Sequence, residues 1–202
     1  EEYLNLLKER DIDIEGIEIF PKEKTFFWSG KYHNDLNSRD TLATELNVLE
    51  KFNPKIPEHC KDCDILLLGN LHPSVQLSVL ENMKCRPRLI ILDTMNFWMN
   101  HTWDLLMEII SKVDVITIND EEARQLSGEY SLPKAAQKIH EMGPQYVIIK
   151  KGEHGAILFS EGKIFAIPAL PLEDVFDPTG EIPLREALPR TLPAPEVLVL
   201  RI

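Results

Sequence analysis

Short apolar runs alternate with amphipathic segments between residues 64 and 150 of the chain. In the segments between the runs, apolar residues recur three or four positions apart, which is the spacing of one helix face. Continuous apolar runs are typical of strands buried on both faces, as in parallel sheets covered by helices. The pattern therefore predicts a three-layer α/β fold with a mainly parallel central sheet. The predicted strands are 65–68, 89–92, 113–118 and 146–149, and the predicted helices are 74–83, 103–112, 121–126 and 133–142.

Each predicted strand of this region is followed by a polar residue or a glycine. In chain order, these residues are Gly69-Asn70, Asp93, Asn119 and Lys150. Parallel strands end at the same edge of a sheet, and open α/β sheets bind their ligands outside that carboxyl edge. We therefore expect a binding site to form there.

The rest of the chain carries shorter patterns. Residues 1–10 predict a helix with acidic residues first and basic residues last, as the helix dipole favours. Residues 11–17 predict a turn that leads into an edge strand, and the aromatic segment 25–32 is rich in β-forming residues. Residues 156–167 predict a hairpin that turns at Glu161-Gly162.

Composition narrows the classes of partner. The 202 residues suit one domain, and 44% apolar against 27% charged residues is a globular composition. The net charge of −11 argues against nucleic acid or an anionic membrane as partner, because either needs a basic face. Neither a signal peptide nor a long apolar run occurs, which predicts a cytoplasmic protein. The chain begins with Glu within a pattern, so we expect that an N-terminal part is missing.

Two of the three cysteines form a C-x-x-C motif, Cys60 and Cys63, directly after His59. A zinc site of this kind needs a further pair of ligands at similar spacing, and the sequence offers only the isolated Cys85 and His72. A redox motif would open a helix after a strand, whereas this one precedes a predicted strand. The pattern favours ordinary reduced cysteines over a metal or redox site.

Three short motifs follow one another along the chain: N-x-x-E at 119–122, K-x-G-x-x-G at 150–155 and D-P-T-G at 177–180. The last is typical of an anion site, because small residues let backbone N–H groups approach a phosphate. In this order the motifs resemble those of the ribokinase-like PfkB carbohydrate kinases, over about residues 1–180. The resemblance implies a ribokinase-like fold and ATP-dependent phosphorylation of a sugar or nucleoside hydroxyl.

The resemblance also gives a role to the aromatic segment near the start of the chain. In the family, strands at this place, about residues 18–35 here, belong to a small β sheet that lies over the sugar as a lid. The family resemblance further implies a homodimer formed through such lid strands as one arrangement. An ordinary hairpin within the main fold is the alternative.

The first two motifs carry the roles that the family assigns to nucleotide binding. The resemblance implies that Asn119 and Glu122 organise Mg²⁺, through water, and the phosphates of ATP. The alternative is a capping box, in which the same two side chains close the start of the next helix. The resemblance also implies a phosphate contact from Lys150 and close backbone approach at Gly152. It places Gly155, at the turn that starts the next strand, among the cofactor-binding residues. The alternative for this stretch is a plain loop.

Two further groups of residues complete the predicted site. The resemblance makes Asp177, Thr179 and Gly180 the surviving half of the anion site, beside a monovalent-cation site. Asp93 and Asn96 follow a central strand and face the place of a sugar, where they either line the pocket or form a turn.

The chain departs from the family pattern directly after Gly180. The family's catalytic base is an Asp at the position that Pro183 occupies, and proline cannot accept a proton. Suitable codons for residues 181–189 read G-D-S-F-A-G-G-F-A in the neighbouring frame, which continues the family pattern. We therefore expect that a frame-changing deletion produced an aberrant tail at 181–202, and that the kinase domain at 1–180 is incomplete and catalytically impaired.

Two other classes of function are alternatives to a kinase. A non-catalytic nucleotide-binding module would bind Mg·ATP without releasing ADP, so the release of ADP separates it from a kinase. A Rossmann dehydrogenase is disfavoured, because no G-x-G-x-x-G follows any predicted strand.

Overall fold

The computed structural model describes residues 2–32 and 39–170. Its helices are α1 (Glu2–Lys8), α2 (Pro73–Glu81), α3 (Asn96–His101), α4 (Trp103–Ile110), α5 (Asp120–Ser127) and α6 (Leu132–Glu141). Its strands are β1 (Phe27–Tyr32), β2 (Arg39–Glu45), β3 (Ile65–Leu68), β4 (Leu89–Asp93), β5 (Val115–Asn119), β6 (Tyr146–Lys150), β7 (Ala156–Ser160) and β8 (Lys163–Ile167). In these described ranges, no helix is both long and apolar enough to cross a membrane.

Six strands form the central sheet in the order β3-β4-β5-β6-β7-β8. The strands from β3 to β6 pair in parallel, and β7 and β8 are added antiparallel. The predicted mainly parallel α/β fold is therefore confirmed. The four helices predicted between the strands correspond to α2, α4, α5 and α6, and the helix predicted at the start of the chain corresponds to α1.

The hydrophobic core lies around the parallel strands. Val115 and Ile116 are neighbours on β5, so their side chains point to opposite faces of the sheet, and both are buried. The sheet is therefore covered on both sides at its centre. Helix α4 buries Leu106, Ile109 and Ile110 completely. Removing one such side chain from water stabilises the fold by roughly 1.5–3 kcal/mol.

The end of α5 and the turn between β7 and β8 both lie where the sequence predicts them. Gly128 follows α5 with a φ of 70°, and its N–H donates to the carbonyl of Arg124. Glycine adopts this left-handed conformation without a steric cost. Glu161 and Gly162 both have positive φ, 46° and 73°, as a two-residue type I′ turn between β7 and β8 requires. The predicted helix stop and the predicted hairpin are both confirmed.

The segment that leads into the small sheet differs from the prediction. Residues 11–26 contain no strand, so the predicted edge strand is wrong. The backbone makes local turns instead, in which the N–H of Ile17 donates to the carbonyl of Ile14 at 3.0 Å and the N–H of Glu23 to that of Phe20 at 3.1 Å. Backbone groups that are bonded in turns are not available for a strand ladder.

Strands β1 and β2 pair antiparallel with each other and form a sheet of their own. Within the described residues they share no ladder with the central sheet, so the alternative of a hairpin in the main fold is wrong. The lid-like strands lie later than the predicted range of about 18–35, because the first begins at Phe27 and the second ends at Glu45. Their role as a lid and the homodimer through them stay predictions.

We predict that Gly143→Ala lowers the free energy of unfolding by about 1–3 kcal/mol. Gly143 joins α6 to β6 with a φ of 143°, and an added Cβ would lie 2.7 Å from Cα of Ser111. Gly69→Ala is the matched control, because a Cβ there meets no heavy atom within 4 Å. Denaturant unfolding of both variants checks this, and equal losses at the two positions would contradict it.

Candidate active site

The carboxyl ends of β4, β5 and β6 lie side by side at one edge of the central sheet. Asp93 at the end of β4 pairs in register with Thr117 of β5, and Asn119 at the end of β5 pairs with Lys150 at the end of β6. The parallel register thus brings three predicted site residues to one edge. We call Asp93, Thr117, Asn119, Glu122 and Lys150 the strand-end cluster.

Asp93 and Lys150 form an ion pair within the strand-end cluster. The Nζ of Lys150 lies 3.2 Å from Oδ1 of Asp93, and the hydroxyl of Thr117 donates to the same oxygen at 3.3 Å. The side chain of Lys150 is 51% exposed and that of Asp93 is 31% exposed. An ion pair with this much solvent contact contributes at most about 1 kcal/mol. The pair therefore orients both side chains while leaving each accessible to a ligand.

Asn119 and Glu122 form a capping box at the start of α5. The Oδ1 of Asn119 accepts from the N–H of Glu122 at 2.8 Å, and Oε2 of Glu122 accepts from the N–H of Asn119 at 2.8 Å. The capping alternative is therefore confirmed. Glu122 is 6% exposed, and the positive end of the helix dipole favours its carboxylate. A magnesium role for the two residues stays a prediction.

The loop after β6 is a short 3-10 turn over Gly152–His154. It is closed by a hydrogen bond from the N–H of Lys151 to the carbonyl of Gly155 at 2.8 Å. A Cβ on Gly155 would lie 2.0 Å from the carbonyl oxygen of Ile167, so the backbone crossing at the end of β8 requires glycine there. This geometry explains Gly155 by packing, and the nucleotide contacts of Gly152 and Gly155 stay predictions.

The remaining predicted residues are outside the strand-end cluster. Asn96 is exposed at the first position of α3, and its place in a substrate pocket stays a prediction. The anion-site residues and the base position lie outside the described residues, so their roles stay predictions as well; they are Asp177, Thr179, Gly180 and Pro183.

The sequence did not indicate Gln76, whose side chain contacts the backbone of Asp93 in the strand-end cluster. Its side chain is 2% exposed and donates from Nε2 to the carbonyls of Gly69 at 2.7 Å and Asp93 at 3.1 Å. It thereby ties the ends of β3 and β4 together. Its Oε1 and the Oγ1 of Thr94 are buried without a hydrogen-bond partner in the described structure. Such buried acceptors are costly and are found where a water or a ligand completes a site. A polar residue on the buried face of a predicted helix is the signal that could have found it.

We predict that Asn119→Ala lowers the free energy of unfolding by about 0.5–2 kcal/mol, because α5 loses its cap. Asn119→Ser is the matched control, since a serine hydroxyl can accept from the same N–H groups. Thermal or denaturant unfolding of both variants measures the difference. A serine variant as unstable as the alanine variant would show that the side chain does not act as a cap.

The chain is similar in sequence to known carbohydrate and nucleoside kinases. Residues 1–180 match the pfkB family carbohydrate kinases. A cytidine kinase of Thermococcus kodakarensis is 33% identical over 180 residues, which cover 84% of this chain and 61% of that protein. The chain thus spans about three fifths of the length of this relative.

Solved structures show the same fold at lower identity. A nucleoside kinase of Burkholderia thailandensis in complex with inosine superposes with a TM-score of 0.66 at 22% identity, over 89% of this chain and 59% of that one. A ribokinase-like protein of E. coli in complex with ATP and Mg²⁺ superposes with a TM-score of 0.67 at 22% identity, over 88% of this chain and 60% of that one. The match over residues 1–180 and the identity to the cytidine kinase together establish that the chain belongs to the PfkB family of carbohydrate kinases.

Proposed function

We propose that the strand-end cluster belongs to the active site of an ATP-dependent kinase whose acceptor is the sugar hydroxyl of a nucleoside. Lys150, Asn119 and Glu122 form its nucleotide side, and Asp93 forms part of its acceptor side. The observation that carries the proposal is the ion pair of Asp93 and Lys150 at the carboxyl edge of the parallel sheet. Membership of the family supports phosphoryl transfer as the reaction. A relative named cytidine kinase and a structural neighbour that binds inosine support a nucleoside over a free sugar.

In this proposal Lys150 contacts a phosphate of ATP. Phosphoryl transfer asks the protein mainly to position the phosphates and to neutralise their charge. The exposed ammonium of Lys150 can turn from Asp93 to a phosphate oxygen, because the ion pair it leaves is weak. A phosphate carries more charge than one carboxylate, so the exchange favours the ligand.

Glu122 and Asn119 would hold Mg²⁺ through its bound waters. Mg²⁺ keeps most of its water ligands in protein sites, so one carboxylate and one amide are sufficient. The capping box fixes both side chains at the start of α5, and the ion would neutralise charge on the phosphates. An E. coli ribokinase-like protein of the same fold was solved with ATP and Mg²⁺, which supports this pair of cofactors. The monovalent cation beside Asp177, Thr179 and Gly180 is a further part of the proposal.

Asp93 would contact the acceptor at the same carboxyl edge of the sheet. It lies one strand away from Asn119 and is partly exposed, so an acceptor hydroxyl can reach it once Lys150 has turned to the phosphates. Asn96 follows it on α3 and would contact the same ligand. The acceptor would thus be bound next to the transferring phosphate.

We further propose that the chain is catalytically impaired. Pro183 stands where the family has its catalytic base, and the family match covers residues 1–180 but not 181–202. A general base contributes about 10²–10⁴-fold to the rate. The motifs that would hold Mg·ATP lie upstream of Pro183, so the chain would still bind the nucleotide although its catalytic activity is lost. A non-catalytic nucleotide-binding module is therefore the second candidate, and the observation that favours it is Pro183.

We predict that Lys150→Met weakens the binding of Mg·ATP at least about tenfold, because a charge-assisted hydrogen bond to a phosphate is worth about 1.5–3 kcal/mol. Lys151→Met removes the same charge one residue later and is the matched control, for which we expect less than about a threefold change. Calorimetric titration of the two variants gives both affinities. Equal losses in both variants would show that Lys150 acts only through the overall charge.

We predict that the chain releases ADP far more slowly than an ordinary kinase, whose rate is about 1–100 s⁻¹. The measurement is ADP release from Mg·ATP with nucleosides, pentoses or hexoses as acceptors. A full-length protein with its family frame restored after Gly180 is the control, and it should turn over fastest with a nucleoside. Acceptor-dependent turnover at an ordinary rate by the chain itself would contradict the impairment. A restored enzyme that uses only free sugars would contradict the nucleoside assignment.

A further inference from the structure

Three side chains that could hold a metal ion lie close together outside the strand-end cluster. One ligand atom from each of Asp13, His59 and Cys60 lies within 4.8 Å of the other two. His59 and Cys60 precede β3, so they lie toward the amino-terminal end of the sheet. Asp13 belongs to the segment that joins α1 to the small sheet. The group therefore joins two parts of the chain that are far apart in sequence.

Contacts with two carboxylates already hold the imidazole of His59 in place. The Nε2 of His59 lies 2.5 Å from Oδ2 of Asp13, and its Nδ1 lies 3.7 Å from Oε2 of Glu15. The side chains of His59 and Asp13 are 53% and 54% exposed, so a metal ion can reach them from solvent. Exposed side chains can also adjust their position by rotation at little cost.

The donor set suits zinc. It consists of a thiol, an imidazole and a carboxylate, and Zn²⁺ binds all three, at about 2.3 Å to sulfur and about 2.0–2.2 Å to nitrogen and oxygen. In a tetrahedron with those bonds, the donor atoms are about 3.3–3.8 Å apart. The three donor atoms lie within 4.8 Å of one another. The Nε2 of His59 and Oδ2 of Asp13, which are hydrogen-bonded at 2.5 Å, would move apart by about 1 Å to bind one ion together. Hard cations such as Mg²⁺ and Ca²⁺ favour sites made of oxygen alone.

The charges around the group favour a cation. The neighbouring lysines are already paired, because Lys61 and Lys84 each lie 2.8 Å from the carboxylate of Glu58. The carboxylates of Asp13 and Glu15 both lie within 3.7 Å of a ring nitrogen of His59. Their negative charge would attract a divalent cation to the group.

We propose that Asp13, His59 and Cys60 bind one Zn²⁺, with water as the fourth ligand. The ion would fasten the segment that leads into the small sheet to the segment that leads into β3. His59 and Asp13 are 46 residues apart in sequence, so such a bridge restricts a long stretch of the unfolded chain. The site would thus set the position at which the lid-like strands leave the main fold.

The test is a titration of the reduced full chain, freed of metal, with Co²⁺ as a spectroscopic substitute and Zn²⁺ as competitor. We expect one metal ion per chain and a thiolate-to-cobalt absorption band that Zn²⁺ abolishes. Cys60→Ser should remove the band, and Asp13→Asn should weaken binding at least about tenfold. Cys85→Ser is the matched control and should bind as the parent does. Circular dichroism of each variant confirms folding, and Asp13→Asn alters only an exposed side chain.

Three results would overturn the assignment. The first is the absence of a thiolate-to-cobalt band in the parent protein at one equivalent of metal. The second is an unchanged affinity in both Cys60→Ser and Asp13→Asn. The third is a loss of the band in Cys85→Ser, which would place the ion on a different set of ligands.

Discussion

The parallel pairing of β3 to β6 is the constraint on which the candidate site depends. Parallel strands need crossover helices, and those helices cover both faces of the sheet and bury its apolar side chains. The same pairing makes β3, β4, β5 and β6 all end at one edge of the sheet, where the polar residues at the strand ends come together. The ion pair of Asp93 and Lys150 joins the ends of two strands with β5 between them, 57 residues apart in sequence. A shift of one residue in register would separate these side chains and expose the core.

The contacts in the candidate site differ in how easily a ligand can replace them. The capping box is partly buried and satisfies two backbone N–H groups at the start of α5, so displacing it would destabilise the helix. The ion pair of Asp93 and Lys150 is half exposed and contributes little to stability. A nucleotide is therefore expected to replace the ion pair and leave the cap intact. In this account Asn119 and Glu122 have a structural role and a role in binding at the same time.

The sequence predicts the strands of the central sheet, the main helices, the hairpin and the convergence of Asp93, Asn119 and Lys150, because each depends on local pattern and parallel pairing. It misses α3, since the polar and aromatic residues of that short helix carry no clear helical pattern. It misses the position of Gln76, because burial is set by packing that spacing does not show. It also misses the group around Cys60, because the third ligand, Asp13, comes from another part of the chain.

Hydrogen exchange of backbone amides with and without Mg·ATP tests whether the strand-end cluster binds the nucleotide. We expect the nucleotide to slow exchange at the start of α5 and in the loop over Gly152–His154. Within the part of the chain that the structure describes, a rival location is a cavity of about 530 Å³ at the other end of the sheet, lined in part by Met83, Arg86 and Lys112. Protection confined to that cavity, with exchange at the strand-end cluster unchanged, would show that the nucleotide binds elsewhere.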